Sequence, residues 1–297
     1  MEQSQKTNIS SCPICKGEKQ IPFLICKDYT VSKEDFSIVS CGDCSFRYTQ
    51  NPPIESEAYR FYQSEDYVSH SSSRKGIINF LYNKVRVKTL RQKVKIVKKY
   101  SRGNILVDVG AGTGHFLNEA KNSGLSAEGF EPSKDACLFA KENFNIELRS
   151  TEELFNKESN SVDVITLWHV LEHVYPLKEY VKTIRRILKN NGIVIIAVPN
   201  CVSYDAEHYQ KHWAAYDVPR HLYHFRPESI NHLSQLFDLE LIDTLPMSYD
   251  AYYVSMLSEK HKRGNVLKAI WLGFLSNRKA KRSGMYSSLI YVLQKRK

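Results

Sequence analysis

The sequence predicts an α/β fold in which a parallel sheet carries a nucleoside site and a small cysteine module precedes it. Three observations carry this expectation. The apolar run Asn104-Ile-Leu-Val-Asp108 reads as a buried strand, and it runs straight into the glycine turn Gly110-Ala-Gly-Thr-Gly114. Glycines at 110, 112 and 114 leave the backbone open to a ligand, and the helix that follows points its N–H groups toward the loop. Seventeen residues beyond Gly114, Glu131 stands where an acid hydrogen-bonds a ribose diol. Near the N-terminus, Cys12-Pro-Ile-Cys15 and Cys41-Gly-Asp-Cys44 form two Cys-x-x-Cys knuckles.

Composition sets the frame for these motifs. The 297 residues suffice for one large domain plus a small module, and 42% hydrophobic with 25% charged residues is ordinary for a globular protein. The N-terminus shows no apolar stretch of the signal-peptide type, and no run of about 18 apolar residues occurs. The expected location is therefore cytoplasmic. Seven cysteines in such a chain favour metal or free thiols over disulfides. The net charge of +10 is unevenly placed: eleven Lys or Arg and no acid lie between Asp66 and Asp108, and the same holds after Glu259.

The whole stretch Asp108-Val-Gly-Ala-Gly-Thr-Gly114 resembles the first motif of class I S-adenosylmethionine-dependent methyltransferases. Three further segments fit that family in order. Glu131 sits where the acid of its second strand belongs, Asp163-Val-Ile-Thr-Leu-Trp-His-Val-Leu-Glu-His173 resembles its fourth strand and exit loop, and Gly192-Ile-Val-Ile-Ile-Ala-Val-Pro199 resembles its fifth. The resemblance implies a Rossmann-like, mostly parallel sheet whose final strand, here Met285 to Gln294, runs antiparallel. It also implies S-adenosylmethionine as cofactor. Asp108 would then anchor the loop, and Gly110, Ala111, Gly112 and Gly114 would line it, with Gly110 and Gly112 facing the methionine portion. Glu131 would hold the ribose, with Pro132 as the turn residue after it. Ser150 to Leu154, Thr151 included, would take the adenine position, and Trp168 would lie at the end of the fourth strand. A dinucleotide-binding dehydrogenase shares the glycine logic but leaves the His-Val-Leu-Glu-His segment unexplained.

Two Cys-x-x-Cys knuckles complete one tetrahedral zinc site, so Cys12, Cys15, Cys41 and Cys44 are the expected ligands. With four cysteines the site is closed and structural. The 25-residue spacer leaves room for a hairpin, with strands between Thr30 and Val39. Cys26, Cys137 and Cys201 stand alone and read as packed thiols. A zinc ribbon ahead of this domain resembles a group of bacterial enzymes acting on sugar nucleotides and other glycan or natural-product precursors.

Ligands of such sheets bind at the carboxyl ends of parallel strands. His169 and His173 are therefore candidate general bases, since imidazole titrates near neutrality. His-x-x-Glu-His, with Glu172, also resembles a Glu-x-x-Glu-His cluster that binds a divalent ion in some methyltransferases. A second rich segment, Trp213 to Phe225, offers His221 as a further base or ligand. It also offers Tyr216, Arg220 and His224 as acceptor contacts, with Arg220 suited to a phosphate or carboxylate.

The remaining segments complete the organisation. Glu57 to Tyr67 is a tyrosine-rich connector that caps a pocket or packs on the core, and Ser69 to Ser73 is a loop. Arg74 to Tyr100 reads as a basic helix with Val87, Leu90, Val94 and Val97 as its buried stripe. Val266 to Leu275 is apolar with basic flanks; it either closes the acceptor pocket or lies in a membrane interface, at the inner membrane face. The expected division is 1–50 zinc ribbon, 51–100 helical connector or cap, and 101–297 methyltransferase domain. The expected activity is methyl transfer to a small-molecule or lipid- or glycan-linked acceptor. The rival is an RNA methyltransferase, favoured by ribbon and basic helix. Against nucleic acid stands the fourth-strand motif, which is not the Asn/Asp-Pro-Pro-aromatic type of base amino methylation.

Overall fold

Two sheets build the molecule, and a shared core joins them. The structure is a computed structural model that describes residues 5–63 and 77–296. Tyr67, the loop Ser69 to Ser73 and the helix start expected at Arg74 lie outside the described residues. In the first sheet, β1 (Gln20–Lys27) and β2 (Asp35–Cys41) pair as an antiparallel hairpin between the two knuckles, and β3 (Arg47–Thr49) pairs with β2. Of the strands expected between Thr30 and Val39 only β2 falls there; β1 lies earlier, and Thr30 to Ser32 form the turn, where the Asp28 carboxylate accepts from the amides of Thr30, Val31 and Ser32.

A short helix α1 (Glu55–Ala58) and a 3-10 turn (Tyr59–Tyr62) lead on to α2 (Ile77–Tyr100). Val94 and Val97 of α2 are buried and Leu90 packs against them, as expected, but Val87 is exposed. The helix then alternates with strands: β4 (Ile105–Val109), α3 (His115–Asn122), β5 (Ser126–Phe130), α4 (Lys134–Phe144), α5 (Thr151–Phe155), β6 (Val162–Trp168), α6 (Leu177–Ile187) and β7 (Leu188–Pro199). Next come α7 (Tyr204–Tyr209), β8 (Tyr223–His224), α8 (Pro227–Leu236), β9 (Leu239–Pro246), α9 (Asp250–His261), α10 (Val266–Ser283) and β10 (Ser288–Lys295). The second sheet has the order β5-β4-β6-β7-β10-β9. β4, β5, β6 and β7 run parallel, and β10 runs antiparallel to both its neighbours. The near-continuous apolar runs of β4, β6 and β7 follow from burial on both faces. The strand order reverses about β4, with β5 on one side of it and β6 on the other, so the ligand crevice falls at the carboxyl ends of β4 and β6.

The ribbon is fused to this sheet. β3 pairs with β8, placing Arg47 opposite His224 and Tyr48 opposite Tyr223. Cys12, Ile14, Phe46 and Tyr48 share one hydrophobic cluster with Val107, Leu167 and Val198 of the main sheet. The segment Trp213 to Phe225, expected as an open pocket wall, instead forms this seam. Trp213, Tyr216, Arg220, Tyr223, His224 and Phe225 are all buried.

Arg220 is the polar centre of the seam. Its guanidinium donates to Asp28 Oδ1 at 3.0 Å, to both oxygens of Asp217 at 2.6 and 2.9 Å, and to the Phe61 carbonyl at 2.9 Å. These bonds tie ribbon, connector and loop together. The acceptor role expected of Arg220 is corrected accordingly, because its donors are committed inside the protein. Removing one partner of a buried charge group leaves the others uncompensated. Arg220→Ala should therefore lose about 3–5 kcal/mol of stability by denaturant unfolding, and an unchanged transition midpoint would contradict the clamp.

Candidate active site

The glycine turn at the end of β4 takes the shape that its sequence requires. Gly110, Gly112 and Gly114 have φ of +67°, +53° and +77°, the left-handed region that favours glycine. The Gly110 and Ala111 amides donate to the Phe130 carbonyl at 2.8 and 3.0 Å, which ties the turn to β5. A side chain at Gly110 would run into Val170 of the β6 exit loop, so this glycine allows two loops to touch. At Gly112 the reverse holds: a Cβ there would meet nothing within 4 Å, which leaves an open cradle at the crevice.

Glu131 borders that cradle. Its Oε2 accepts from the Gly112 amide at 2.8 Å and its Oε1 from the Ser133 amide at 3.0 Å. Burial raises its pKa, against those two amides. Each carboxylate oxygen retains a further lone pair, so the group can also take ribose hydroxyls. Pro132 follows it at the turn into α4. The Glu131 amide donates to the Arg149 carbonyl at 2.9 Å, which brings Ser150 and Thr151, at the capped start of α5, alongside. Asp108, expected to anchor the turn, instead accepts from Thr166 Oγ1 of β6 at 2.6 Å. Burial pushes its pKa up to about 7, against Thr166 and Lys93.

The β6 exit gathers the acceptor-side candidates. His169 has φ +58°, a strained backbone for a residue with a side chain, of the kind that collects at functional sites. Its Nε2 lies 3.1 Å from Asp250 of α9 and its Nδ1 3.4 Å from Glu172 Oε1. Burial works against its charge, but Asp250 and Glu172 prevail and raise its pKa to about 9. His169 is thus a cation at neutral pH, unsuited to the base role expected of it. His173 shows the opposite behaviour: burial and the nearby His221 push it down to about 4.

His173 and His221 meet edge to face with ring centroids 4.5 Å apart. The Nδ1 of His173 engages Tyr62 Oη at 2.9 Å and the Arg220 carbonyl at 3.1 Å, and the Nδ1 of His221 engages the Ala215 carbonyl at 2.8 Å. Glu172 is fully buried, and neither carboxylate oxygen has a hydrogen-bond partner among the described residues. Donor atoms of Glu172, His173 and His221 lie within 4.8 Å of one another. Two imidazoles oriented through Nδ1 beside a carboxylate that pairs with His169 but lacks a hydrogen bond can hold a proton or a divalent ion. Tyr216 and His224 do not join this group. Tyr216 packs on Trp213 and His224, and His224 Nε2 faces Thr49 Oγ1 at 3.2 Å within the seam.

The four knuckle cysteines converge. Cys12 and Cys44 Sγ are 3.6 Å apart, Cys15 and Cys41 Sγ 3.5 Å, and all four lie within 4.8 Å of one another. A tetrahedral Zn²⁺ with bonds of about 2.3 Å requires sulfur spacings near 3.8 Å, so the cluster fits the ion. The Gly17 and Asp43 amides point at Cys15 and Cys41 Sγ, both at 3.4 Å. The left-handed residues of the two knuckles are Lys16 and Ser45. Gly17 serves close approach instead: a side chain there would strike Asp43 of the other knuckle.

Several residues reach the site without a sequence signal. Lys93 of α2 sits 4.4 Å over the Trp168 ring, and Phe116 packs edge-on against the same ring at 5.4 Å. Burial lowers the Lys93 pKa, against the pull of Asp108 and Asp250. Asp250 and Tyr62 likewise arrive from elements distant in sequence. Trp168 itself turns toward α2 and α3 at the end of β6.

A crossover sheet with a glycine cradle and an acidic partner on the next strand defines a class I S-adenosylmethionine-dependent methyltransferase. A family model described as a methyltransferase domain matches residues 82–244, more than half of the chain, and the chain belongs to that family. A ubiquinone biosynthesis O-methyltransferase of Pelagibacter ubique (strain HTCC1062) is 27% identical over 130 residues, covering 40% of this chain and 54% of the relative. The chain thus spans about half the length of the curated relative it matches. Among solved structures, a methyltransferase-fold protein of Galdieria sulphuraria superposes with a TM-score of 0.50 at 15% identity, over 71% of this chain and 86% of that one. A SAM-dependent methyltransferase of Archaeoglobus fulgidus gives 0.48 at 18% identity, over 73% and 99%. At 15% identity the likeness to the Galdieria sulphuraria protein speaks for the fold alone.

Two outcomes follow. Gly112→Val fills the cradle and imposes a left-handed β-branched residue, costing roughly 1–2 kcal/mol. It should abolish binding of S-adenosylhomocysteine by calorimetry while circular dichroism stays native; retained binding would contradict the site. The His169 imidazole, followed by NMR, should stay protonated until the pH reaches about 9. The stability from its ion pairs is complete below about 6.5 and is lost as pH rises through about 9, and a midpoint near or below the ordinary value would contradict the pairing.

Proposed function

We propose that the chain methylates a small-molecule acceptor, free or lipid- or glycan-linked, at the carboxyl ends of β4 and β6. The observation that carries this is the open cradle at Gly112 bordered by the Glu131 carboxylate. S-adenosylmethionine supplies an activated methyl group on sulfur. Glu131 holds the ribose hydroxyls, the Gly110 to Gly114 turn accommodates the methionine portion, and Thr151 lies at the adenine edge. Lys93, poised over Trp168 beside Asp108, offers a cation to the cofactor's carboxylate. Asp108 braces β4 against β6.

On the acceptor side, Glu172, His173 and His221 take the proton that an acceptor hydroxyl gives up, or hold a divalent ion that orients it. His169 contributes a fixed positive charge shared with Asp250. Oxygen as the accepting atom finds support in the name of the curated relative. Cys12, Cys15, Cys41 and Cys44 hold structural zinc, far from any open coordination position. In this reading residues 1–50 form the ribbon, 51–100 the connector and 101–297 the catalytic domain, with the seam at β3 and β8 fixing the ribbon against the acceptor side.

The test is formation of S-adenosylhomocysteine on a panel of phenolic quinone precursors, glycans and lipids, with zinc assayed on the same sample. Turnover on one class, with one zinc per chain, is expected. Glu172→Gln and His221→Ala should each lower kcat by about 10²–10⁴-fold with cofactor-product affinity unchanged. Wild-type turnover in both variants would remove the acceptor-side roles, and no turnover on any class would contradict the acceptor reading.

A further inference from the structure

Helix α10 turns its apolar side to water. Val266, Leu267, Ile270, Trp271 and Phe274 are exposed, Leu267 at 80% and Trp271 at 60%. Their spacing places them on one face over a little more than two turns, a stripe roughly 12 Å long at 1.5 Å per residue. The opposite face is fixed to the protein. Ala269, Leu272, Gly273, Ser276 and Ala280 are buried. Gly273 lies against Tyr252 of α9 so closely that a side chain would not fit, and Ser276 Oγ donates to the buried Asp205 at 2.7 Å. Asp205 also accepts from Trp213 Nε1 and Ser287 Oγ. The helix therefore cannot roll to hide its stripe. It does not close the acceptor pocket with that face, which is one of the two roles that the sequence leaves open for it.

The buried Glu259 pairs with Lys268 at 3.3 Å, and the charged residues of the helix and of the two flanks of the stripe are otherwise cationic. Arg263 lies just before it, and Arg278, one turn beyond Phe274, continues it, followed by Lys281 and Arg282; all four are exposed. No acidic residue occurs after Glu259. Lys88 of the basic helix α2 lies 5.8 Å over the ring of Tyr249, next to Ser248, whose carbonyl accepts from Asn277 Nδ2 of α10. An apolar stripe closed at both ends by long cationic side chains suits an interface where rings and aliphatic groups enter the acyl boundary while the cations meet headgroup phosphates. Among the described residues no helix is long and apolar enough to cross a membrane, so the contact is peripheral.

We propose that α10 docks this protein in plane on an anionic phospholipid surface. Leu267 and Trp271 are the inserted anchors, and Arg263, Arg278, Lys281 and Arg282 are the headgroup contacts. The proposal stands apart from the methyl-transfer reading, because it concerns a surface that none of the candidate active-site residues occupies.

Flotation of the full chain with vesicles tests it, with phosphatidylcholine alone or mixed with phosphatidylglycerol, at low and at physiological salt. Binding should require phosphatidylglycerol and weaken with salt. Trp271 emission should shift to the blue; Trp213 is buried and Trp168 is partly buried against the core away from α10, so Trp271 is the exposed tryptophan that changes environment. The double variant Leu267→Glu, Trp271→Glu should bind at least about tenfold less and keep its circular dichroism and its affinity for S-adenosylhomocysteine. Arg278→Gln with Arg282→Gln should reduce binding at low salt and flatten the salt dependence. Three outcomes would overturn the proposal: absence of binding to anionic vesicles at low salt, equal binding by the double glutamate variant, or concentration-dependent self-association that buries Trp271 in the absence of lipid.

Discussion

The Arg220 guanidinium holds the architecture together. A fully buried cation is tolerable only when its donors are matched, and here four bonds reach Asp28 in the ribbon hairpin, Phe61 in the connector and Asp217 in the loop after β7. Each partner belongs to a different stretch of chain. The clamp fixes the loop that carries His221, and the Arg220 carbonyl is a partner of His173 Nδ1. The cysteine ribbon is thereby more than an appendage. By holding Asp28 in place, it sets the orientation of two histidines on the acceptor side.

The catalytic end of the sheet follows a division of labour between carboxylates. Glu131 is held by backbone amides at the mouth of a cradle, with lone pairs left over. Asp108 is sealed between strands and hydrogen-bonded to Thr166, where it braces the sheet. Glu172 is buried among histidines, and Asp250 together with it keeps His169 charged. Four acids in one crevice thus differ in role because their surroundings differ in burial and partners.

What the sequence made legible was local. The strand, glycine turn and helix from Asn104 onward, the acid at 131 and the two cysteine knuckles each write their geometry in a few adjacent residues, and the parallel sheet with a reversed final strand emerged as expected. What escaped depended on distance along the chain. Arg220 reads as a free cation until Asp28, 192 residues away, is brought against it. Asp250 lies in a segment with no motif of its own; Lys93 and Tyr62 lie in the basic helix and the tyrosine-rich connector, but nothing local marks either residue as the one the folded chain carries to the crevice. The aromatic run from Trp213 to Phe225 looked like a pocket wall because polar aromatic residues often line pockets. The β3–β8 pairing uses them to seal one sheet against another instead. Val87 fitted the helical period of its stripe yet ended up exposed, since periodicity marks a face without showing where the neighbour stops.

The most direct measurement of the central claim is an amide NMR titration of the isotope-labelled protein with S-adenosylhomocysteine. The account predicts the largest shifts at Gly112, Glu131, Ser133 and Thr151, with the seam amides around Arg220 unmoved. Shifts centred on the ribbon or on α10, or none at the glycine turn, would contradict the placement of the cofactor.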